Sequence, residues 1–235
     1  MIKVTNLKKQ LPEFCIDLNF TIQKSCIFGI VGRSGSGKTT TLKMLQGLLK
    51  YDSGNIQLNG SSNLIFQDFN LLNNLNVFDN VNLALKLKGI KEKDTVVEIL
   101  SFVGLKDFMN KFPSQLSGGQ KQRVCIARAL VTRPDIIFCD EPTASLDTKT
   151  SFEIIRLFKK IREEYKTTIV IVSHDLDVIK YLCDKVMIMK DGKGLIKDGL
   201  WINTSTAWNT YHDYHTHCNI NIIWYSNRGL YLFKK

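Results

Sequence analysis

The segment most suggestive of chemistry reads Gly-Arg-Ser-Gly-Ser-Gly-Lys-Thr and spans residues 32–39. This spacing is typical of a loop that binds phosphate groups, because glycines let successive backbone N–H groups turn inward around an anion. The helix expected after the loop would point the positive end of its dipole at the same anion. We expect Lys38 to place its charge on nucleotide phosphates and Thr39 to offer its hydroxyl to Mg²⁺. The predicted nucleotide-binding residues here are Gly32, Arg33, Ser34, Gly35, Ser36, Gly37, Lys38, Thr39 and Thr40.

Two adjacent acids follow a second apolar segment. Residues 136–139 favour a buried strand, whose carboxyl end would carry Asp140 and Glu141. Phosphoryl transfer needs positioning and charge neutralisation more than covalent chemistry. We therefore expect Asp140 to hold Mg²⁺ and Glu141 to polarise an attacking water. Acids at strand ends are common, so this interpretation depends on the phosphate-binding loop upstream.

A second glycine-rich segment, residues 116–120, reads Leu-Ser-Gly-Gly-Gln. Ser117 has the position of a helix N-cap, and the two glycines would expose backbone N–H groups to an anion. Since the first loop already holds the phosphates of one nucleotide, we expect this second cradle to serve another. That arrangement implies a head-to-tail dimer.

These loops need a frame of strands and helices to position them. Loose alternation of apolar residues over 2–22 predicts half-buried strands. Buried strands are predicted for the apolar runs at 26–31, 136–139, 168–172 and 186–189. Helices are predicted at about 39–49, 149–164 and 175–183. Strands that alternate with helices imply a parallel sheet covered on both faces, while residues 68–130 have helical apolar spacing.

Composition narrows the class of protein. The chain has 235 residues, of which 44% are hydrophobic and 23% charged, and this argues against a disordered chain, a fibre or a disulfide scaffold. The apolar runs are too short to span a membrane, and the N-terminus lacks the apolar core of a signal peptide. We therefore expect a cytosolic chain with its six cysteines reduced. The net charge of +10 would suit nucleic acid, an anionic membrane surface or a phosphorylated ligand, and does not choose among them.

Together these motifs resemble those of ATP-binding cassette (ABC) transporter ATPase subunits. The segment Leu116–Gln120 matches the signature of that family, and Phe66–Asp68 resembles its Q-loop. Pro142–Asp147 is similar to the D-loop, with Ala-Ser where many members have Ser-Ala, and Val172–Asp175 is similar to the H-loop. The resemblance covers residues 1 to about 199.

The resemblance implies a fold and a set of roles. The implied fold is α/β, that of a P-loop NTPase with a mostly parallel sheet core, a small antiparallel β-subdomain and an α-helical subdomain inserted at about 68–130. Gln67 would contact Mg²⁺ or the lytic water, His174 would contact the γ-phosphate, and Asp147 would contact the other protomer. The residues that would act on the ATP of the opposite protomer are Ser117, Gly119 and Gln120. The implied catalytic residues are Glu141, His174 and Gln67, and the implied metal ligands are Thr39, Gln67 and Asp140.

The resemblance also implies partners. The chain would be an ATPase with ATP and Mg²⁺ as cofactors, bound as a peripheral protein to an integral membrane permease at the cytoplasmic face of the cell membrane. It would pair with a second copy of itself or with a paralogous cassette, and an extracytoplasmic binding protein could belong to the same system. We expect no nucleic acid partner. We expect the segment 68–130 to contact the permease, since Asn70–Leu87 is rich in apolar residues.

Other functions remain as alternatives. A non-transport ABC ATPase acting on nucleic acid or ribosomes would suit the charge. However, the segment between Lys38 and Ser117 is too short for the long coiled coil of chromosome-type members, and translation-type members carry two cassettes in one chain. A small P-loop kinase would not need the second anion cradle. The segment after Phe66 is similar in amino-acid, methionine and sulfonate importers and in lipoprotein and peptide exporters, so direction and cargo stay open.

Three features depart from the family pattern. The family usually stacks an aromatic ring on adenine near the end of the first strand, where this chain has Lys8–Leu11 and only Phe14 as a nearby aromatic residue. The short segment between Gly60 and Gln67 predicts a trimmed antiparallel subdomain. Residues 200–235 are interpreted as a C-terminal extension of unknown role. Within it, His212–Cys218 offers three histidines and one cysteine as potential metal ligands, without an obvious frame of secondary structure.

Overall fold

The structure is a computed structural model that describes residues 1–198 together with two short strands near the C-terminus. The strands are β1 (Ile2–Gln10), β2 (Cys15–Ile22), β3 (Ile27–Gly32), β4 (Ser53–Leu58), β5 (Ser62–Ile65), β6 (Ile136–Asp140), β7 (Thr168–Val172), β8 (Lys185–Lys190), β9 (Lys193–Asp198), β10 (Trp224–Ser226) and β11 (Gly229–Tyr231). The helices are α1 (Lys38–Leu45), α2 (Val77–Leu87), α3 (Lys93–Phe102), α4 (Gly118–Leu130), α5 (Thr148–Tyr165) and α6 (Leu176–Leu182). Two 3-10 turns lie between α3 and α4, at Lys106–Phe108 and Pro113–Gln115.

Strands β1 to β9 form one sheet in the order β4-β1-β2-β9-β8-β3-β7-β6-β5. The five strands from β8 to β5 run parallel to one another, because helices make the crossovers between them. Strands β1, β2 and β4 pair antiparallel at the other edge, and β9 returns antiparallel to β8. The predicted α/β fold, with a mostly parallel core and a small antiparallel part, is confirmed.

The parallel strands are buried on both faces, and their residues alternate between two apolar cores. In β7, Ile169 and Ile171 belong to the core covered by α2 to α6, while Val170 and Val172 belong to the core that contains α1 residues and the antiparallel strands. Strand β6 divides in the same way, with Ile137 on the first side and Phe138 on the second. Burial on both faces explains why these strands read as unbroken apolar runs.

Helix α1 is shorter than predicted. The sequence pattern favours a helix over about 39–49, whereas the helix ends at Leu45 and the chain turns at Gly47, where φ is +71°. The Gly47 N–H donates to the Met44 carbonyl, and the Leu48 N–H donates to the Lys43 carbonyl at 2.9 Å. A glycine in the left-handed region commonly ends a helix in this way, so the leucines that follow do not continue it.

Helices α2, α3 and α4 occupy the segment between β5 and β6, where helical spacing was read from the sequence. Their inward faces join the first core through residues such as Val81, Ile99 and Ile126. Val77, the first residue of α2, lies in that core, while Leu72 in the preceding loop is exposed. Whether this segment behaves as a separate subdomain stays a prediction.

A buried amide fixes the loop that precedes α2. The Asn80 side chain is completely buried. Its Oδ1 accepts a hydrogen bond from the Leu72 N–H at 2.9 Å, and its Nδ2 donates to the carbonyls of Leu72, Leu75 and Asn76 at 2.9–3.1 Å. One side chain therefore satisfies four backbone groups of the loop, which connects the end of β5 to the helices.

No helix among the described residues is long and apolar enough to cross a membrane. Cys15, Cys26, Cys125, Cys139 and Cys183 are all free thiols, in agreement with the expectation of reduced cysteines for this part of the chain. The candidate metal-ligating cluster His212–Cys218 lies outside the described residues.

We predict that Asn80→Leu lowers the free energy of unfolding by about 1–2 kcal/mol, because a side chain of similar size removes the hydrogen bonds to partly buried backbone groups of the loop. The measurement is urea-induced unfolding of the full chain. Asn74→Ala, at an exposed position of the same loop, serves as the control. An unfolding midpoint unchanged in Asn80→Leu would contradict the assigned role of the network.

Candidate phosphate-binding site

The glycine-rich loop joins the buried strand β3 to helix α1. Gly35 and Gly37 have φ angles of +81° and +98°, which residues with a Cβ rarely adopt. A Cβ at Gly35 would meet no atom within 4 Å, so the backbone there faces open space. Gly37 directly precedes α1, so the N–H groups of the first helical turn open toward that space. The loop thus has the backbone geometry of an anion cradle.

Lys38 spans the loop from its C-terminal side. Its Nζ donates to the carbonyl oxygens of Gly32 and Arg33, at 2.8 and 2.9 Å. The residue is only 8% exposed, and burial lowers the pKa of Lys38, while the charges of Glu141 and Asp140 act in the opposite direction. The two hydrogen bonds hold the ammonium group beside the first residues of the loop, Gly32 and Arg33.

Thr39 and Asp140 bring two oxygens together at the end of β6. The Thr39 hydroxyl donates to Asp140 Oδ1 at 3.3 Å. Burial raises the pKa of Asp140, the hydrogen bond from Thr39 lowers it, and the neighbouring charge of Glu141 raises it further. A carboxylate and a hydroxyl side by side are ligands that suit Mg²⁺.

Glu141 follows β6 in a strained backbone conformation, with φ at +49°. Its N–H donates to the Val172 carbonyl at 2.9 Å, which ties the turn to the end of β7. Its Oε2 lies 2.9 Å from Nδ1 of His174, and the Glu141 side chain is 13% exposed against 69% for His174. This contact requires the proton on Nδ1, so Nε2 can also donate a hydrogen bond only when the ring is doubly protonated.

A cavity of about 560 Å³ lies over these groups. The predicted residues that line it are Ser34, Gly35, Gly37, Lys38, Thr39, Thr40, Gln67, Glu141 and His174. Gly32, Arg33 and Ser36 were also predicted to bind the nucleotide but do not line the cavity. Gly32 and Arg33 offer carbonyls to Lys38, and Ser36 is buried with its hydroxyl packed toward Gly32. The predicted catalytic residues Gln67, Glu141 and His174 thus line the same cavity as the glycine-rich loop.

Sequence reasoning missed one wall of this cavity. The hairpin between β1 and β2 contributes Leu11, Pro12, Glu13 and Phe14. Leu11 ends the stretch where the family's adenine-stacking ring was expected and Phe14 was named as the nearby aromatic residue, whereas Pro12 and Glu13 were not singled out. A Cβ at Gly37 would lie 3.4 Å from the Phe14 ring, which places that ring beside the start of α1. The sequence did contain a signal for this hairpin. Pro12 lies between two segments of alternating apolar residues, and proline favours the tight turn of a hairpin tip.

The second glycine-rich segment, residues 116–120, lies at the start of α4 and outside this cavity. Ser117 caps α4: its Oγ accepts from the Gln120 N–H, and the Gln120 Oε1 accepts from the Ser117 N–H at 2.8 Å. A Cβ at Gly119 would collide with Thr150 of α5, so glycine is also required there for helix packing. No residue of 116–120 lines the 560 Å³ cavity of the same chain.

Asp147, expected to contact another protomer, caps a helix within the chain. Its carboxylate accepts hydrogen bonds from the Thr150 N–H and hydroxyl, and these bonds lower the pKa of Asp147. The residue remains exposed, so the cap does not remove it from the surface. A second cavity of about 250 Å³ beside this segment shares Glu141 and His174 with the first.

Comparisons with known proteins agree with this geometry. Residues 15–144 match the protein family described as ABC transporter. The chain is 42% identical over 214 residues to the methionine import ATP-binding protein MetN of Legionella pneumophila (strain Lens), covering 82% of this chain and 63% of that protein. It is 42% identical over 202 residues to methionine import ATP-binding protein MetN 1 of Bacillus thuringiensis subsp. konkukian (strain 97-27), covering 78% of this chain and 59% of that protein.

A solved structure is similar over most of the chain. The dimeric ATP-binding cassette MJ0796, in a post-hydrolysis state bound to ADP and Pi, superimposes with a TM-score of 0.74 at 34% identity, covering 84% of this chain and 98% of that one. The chain therefore belongs to the ABC transporter family, as the motifs suggested. It spans about three fifths of the length of the MetN proteins that it matches.

We predict that Asp140→Asn raises the thermal unfolding midpoint near neutral pH. Burial raises the pKa of this carboxyl in the folded state, so its ionisation opposes folding as pH rises through that pKa. The neutral amide avoids this cost and keeps an oxygen for Thr39. The difference between variant and wild type should vanish at about pH 3, where an ordinary aspartate is also protonated. Equal melting curves at neutral pH would contradict this assignment.

Proposed function

We propose that the chain is the ATP-hydrolysing motor subunit of an ABC transporter. Two cassettes, either two copies or this chain and a paralogue, pair head-to-tail around two ATP molecules and drive a separate membrane permease. The observation that carries the proposal is the division of the site. Lys38, Glu141 and His174 line one cavity, whereas no residue of the second anion cradle, 116–120, lines it. A second cassette would supply the missing cradle.

Binding of the phosphates falls to the loop and to Lys38. The backbone N–H groups around Gly35 and Gly37 donate hydrogen bonds to the anion. The Lys38 ammonium leaves the carbonyls of Gly32 and Arg33 to reach the β- and γ-phosphates. Bound at Thr39 and Asp140, Mg²⁺ would neutralise phosphate charge. Gln67 lines the same cavity and would contact Mg²⁺ or the lytic water.

Activation of water falls to Glu141. Glu141 lines the cavity, and the hydrogen bond from its backbone N–H to the Val172 carbonyl fixes its backbone at the end of β7. His174 orients the carboxylate through its Nδ1 and, when doubly protonated, offers Nε2–H to the γ-phosphate. Glu141 then accepts a proton from the attacking water while Lys38 stabilises the charge that develops on the phosphate.

The outer surface of α2 and its preceding loop supports a membrane partner. Leu72 is exposed, and Leu87 at the end of α2 is 80% exposed. Leu87 lines a groove of about 250 Å³ together with Asn63, Lys88 and Arg128. Apolar side chains bordered by cations form a surface suited to a protein partner. We assign this surface to the permease, with the chain at the cytoplasmic face of the membrane as a peripheral protein.

The relatives support import as the direction of transport, because their names describe methionine import. An extracytoplasmic binding protein would then belong to the same system. Co-purification of the tagged full chain with an integral membrane protein would support this function. Co-purification with ribosomes or nucleic acid would instead favour the alternative of a non-transport cassette ATPase.

We predict that Glu141→Gln binds ATP, accumulates as a dimer and hydrolyses ATP at least about 100-fold more slowly, because the general base is lost while the phosphate site is intact. Turnover is measured by phosphate release and the dimer by size-exclusion chromatography with ATP. Glu163→Gln, an exposed glutamate on α5, is the matched control. Near wild-type turnover in Glu141→Gln would show that another group activates water.

Lys38→Ala should fail at an earlier step. Removal of the ammonium group is expected to weaken ATP binding by about tenfold or more, since charge-assisted hydrogen bonds to phosphate are lost. Equilibrium binding of ATP measures the effect independently of turnover. Unchanged affinity would place the phosphates away from Lys38.

We predict that a cysteine at Leu75 cross-links to the permease, because Leu75 lies in the loop that Asn80 fixes beside the exposed apolar surface. A short bifunctional thiol reagent and mass spectrometry of the product identify the partner. Leu195→Cys, at an exposed leucine of β9, is the control. Cross-links from Leu75→Cys that reach only another cassette would contradict the assigned surface.

A further inference from the structure

Glu13 brings a negatively charged side chain to the wall of the proposed phosphate-binding cavity, where it has no role in binding an anion. It lines the 560 Å³ cavity together with Lys38 and the glycine-rich loop. Among the described residues it has no ion-pair partner. Glu13 is exposed to solvent at this wall of the cavity, so its carboxylate is accessible to a bound ligand. Because a carboxylate repels phosphate, any ligand group that it contacts lies away from the triphosphate.

The hairpin that carries Glu13 is rigidly built. The Leu11 N–H donates to the Phe14 carbonyl at 2.9 Å, and Pro12 restricts the backbone between them. The Gln10 side chain donates to the Leu11 carbonyl at 2.7 Å. Asp52, at the approach to β4, accepts from the Gln10 N–H and from Lys9 Nζ at 2.7 and 2.9 Å. The tip therefore has a fixed position over the start of α1.

The neighbours of Glu13 limit what it can bind. Leu11 and Phe14 give the same wall apolar surface, which suits the face of a planar base. An ionised carboxylate only accepts hydrogen bonds, so its ligand must present donors. The ribose, which joins the base to the phosphates, carries two adjacent hydroxyl donors. An acid that accepts from a ribose hydroxyl is an established solution in other nucleotide-binding folds.

We propose that Glu13 is the ribose-recognising residue of this cassette, and that its carboxylate accepts hydrogen bonds from the 2′- and 3′-hydroxyls of ATP. This inference rests on the proposed ATP site and adds a specificity determinant to it. The consequence is selection of ribonucleotides over deoxyribonucleotides by the chain that holds the phosphates.

The test is a comparison of dissociation constants for the full chain with ATP, 2′-deoxy-ATP, 3′-deoxy-ATP and purine riboside triphosphate, which lacks the 6-amino group. The wild type should bind at least one deoxy analogue about tenfold more weakly than ATP, because a hydrogen bond to a charged group is lost. In Glu13→Ala the preference for ATP over that analogue should fall to within about twofold. Glu13→Gln should give an intermediate ratio, since the amide oxygen still accepts but carries no charge.

The ratio of two dissociation constants separates ribose recognition from charge repulsion. Removal of Glu13 also removes a negative charge near the triphosphate, which strengthens binding of all four nucleotides alike and leaves the ratio unchanged. Glu164→Gln, an exposed glutamate on α5, controls for net charge.

Two outcomes would overturn the assignment. One is a preference for ATP over both deoxy analogues that is unchanged in Glu13→Ala, or absent in the wild type. The other is a ratio that changes only for purine riboside triphosphate, which would place the carboxylate on the base. Failure of the wild type to bind ATP at all would instead refute the proposed function, so the two failures are distinguishable.

Discussion

The register of three neighbouring parallel strands sets the geometry on which the whole site depends. Val172 of β7 pairs with Ile30 of β3 on one side and with Asp140 of β6 on the other. The chain then leaves all three strands at the same edge of the sheet, and the bonds from the Glu141 N–H to Val172 and from the Ser173 N–H to Ile30 extend the ladder beyond the strands. A shift of one residue in either pairing would exchange the two faces of a strand and separate the loop from its acids.

The strands that enforce this register were readable from the sequence because they are buried on both faces. Each is a short apolar run that ends at a polar or glycine residue, and each such end turned out to lie in or beside the site. The end of α1 was not readable in the same way. Apolar spacing continues through Leu45, Leu48 and Leu49, yet the backbone reverses at Gly47, and Leu48 is exposed. The apolar spacing favours a longer helix, but Gly47 adopts a left-handed conformation that ends α1 at Leu45.

The site was predictable where one loop supplies the chemistry and harder to predict where distant segments meet. Lys38 and Thr39 act within a few residues of the loop, so their spacing alone indicated their place. The cavity wall formed by Leu11–Phe14 depends on the β1–β2 hairpin folding over α1, a contact between segments that no local pattern encodes. Gln120 and Asp147 make capping bonds within the chain, and sequence comparison alone does not separate such local roles from roles at an interface.

The two carbonyl bonds of Lys38 have a consequence for the entropy of ligand binding. A glycine-rich loop is costly to immobilise, at about 1–2 kcal/mol for each residue whose backbone becomes fixed. The Lys38 ammonium group bonds the carbonyls of Gly32 and Arg33 within the folded chain itself. Much of the conformational entropy of this part of the loop is therefore lost when the domain folds, before an anion binds. An incoming anion then exchanges one set of oxygen partners for another around the same nitrogen and does not have to order a mobile loop. Affinity can therefore be gained through preorganisation rather than through additional contacts.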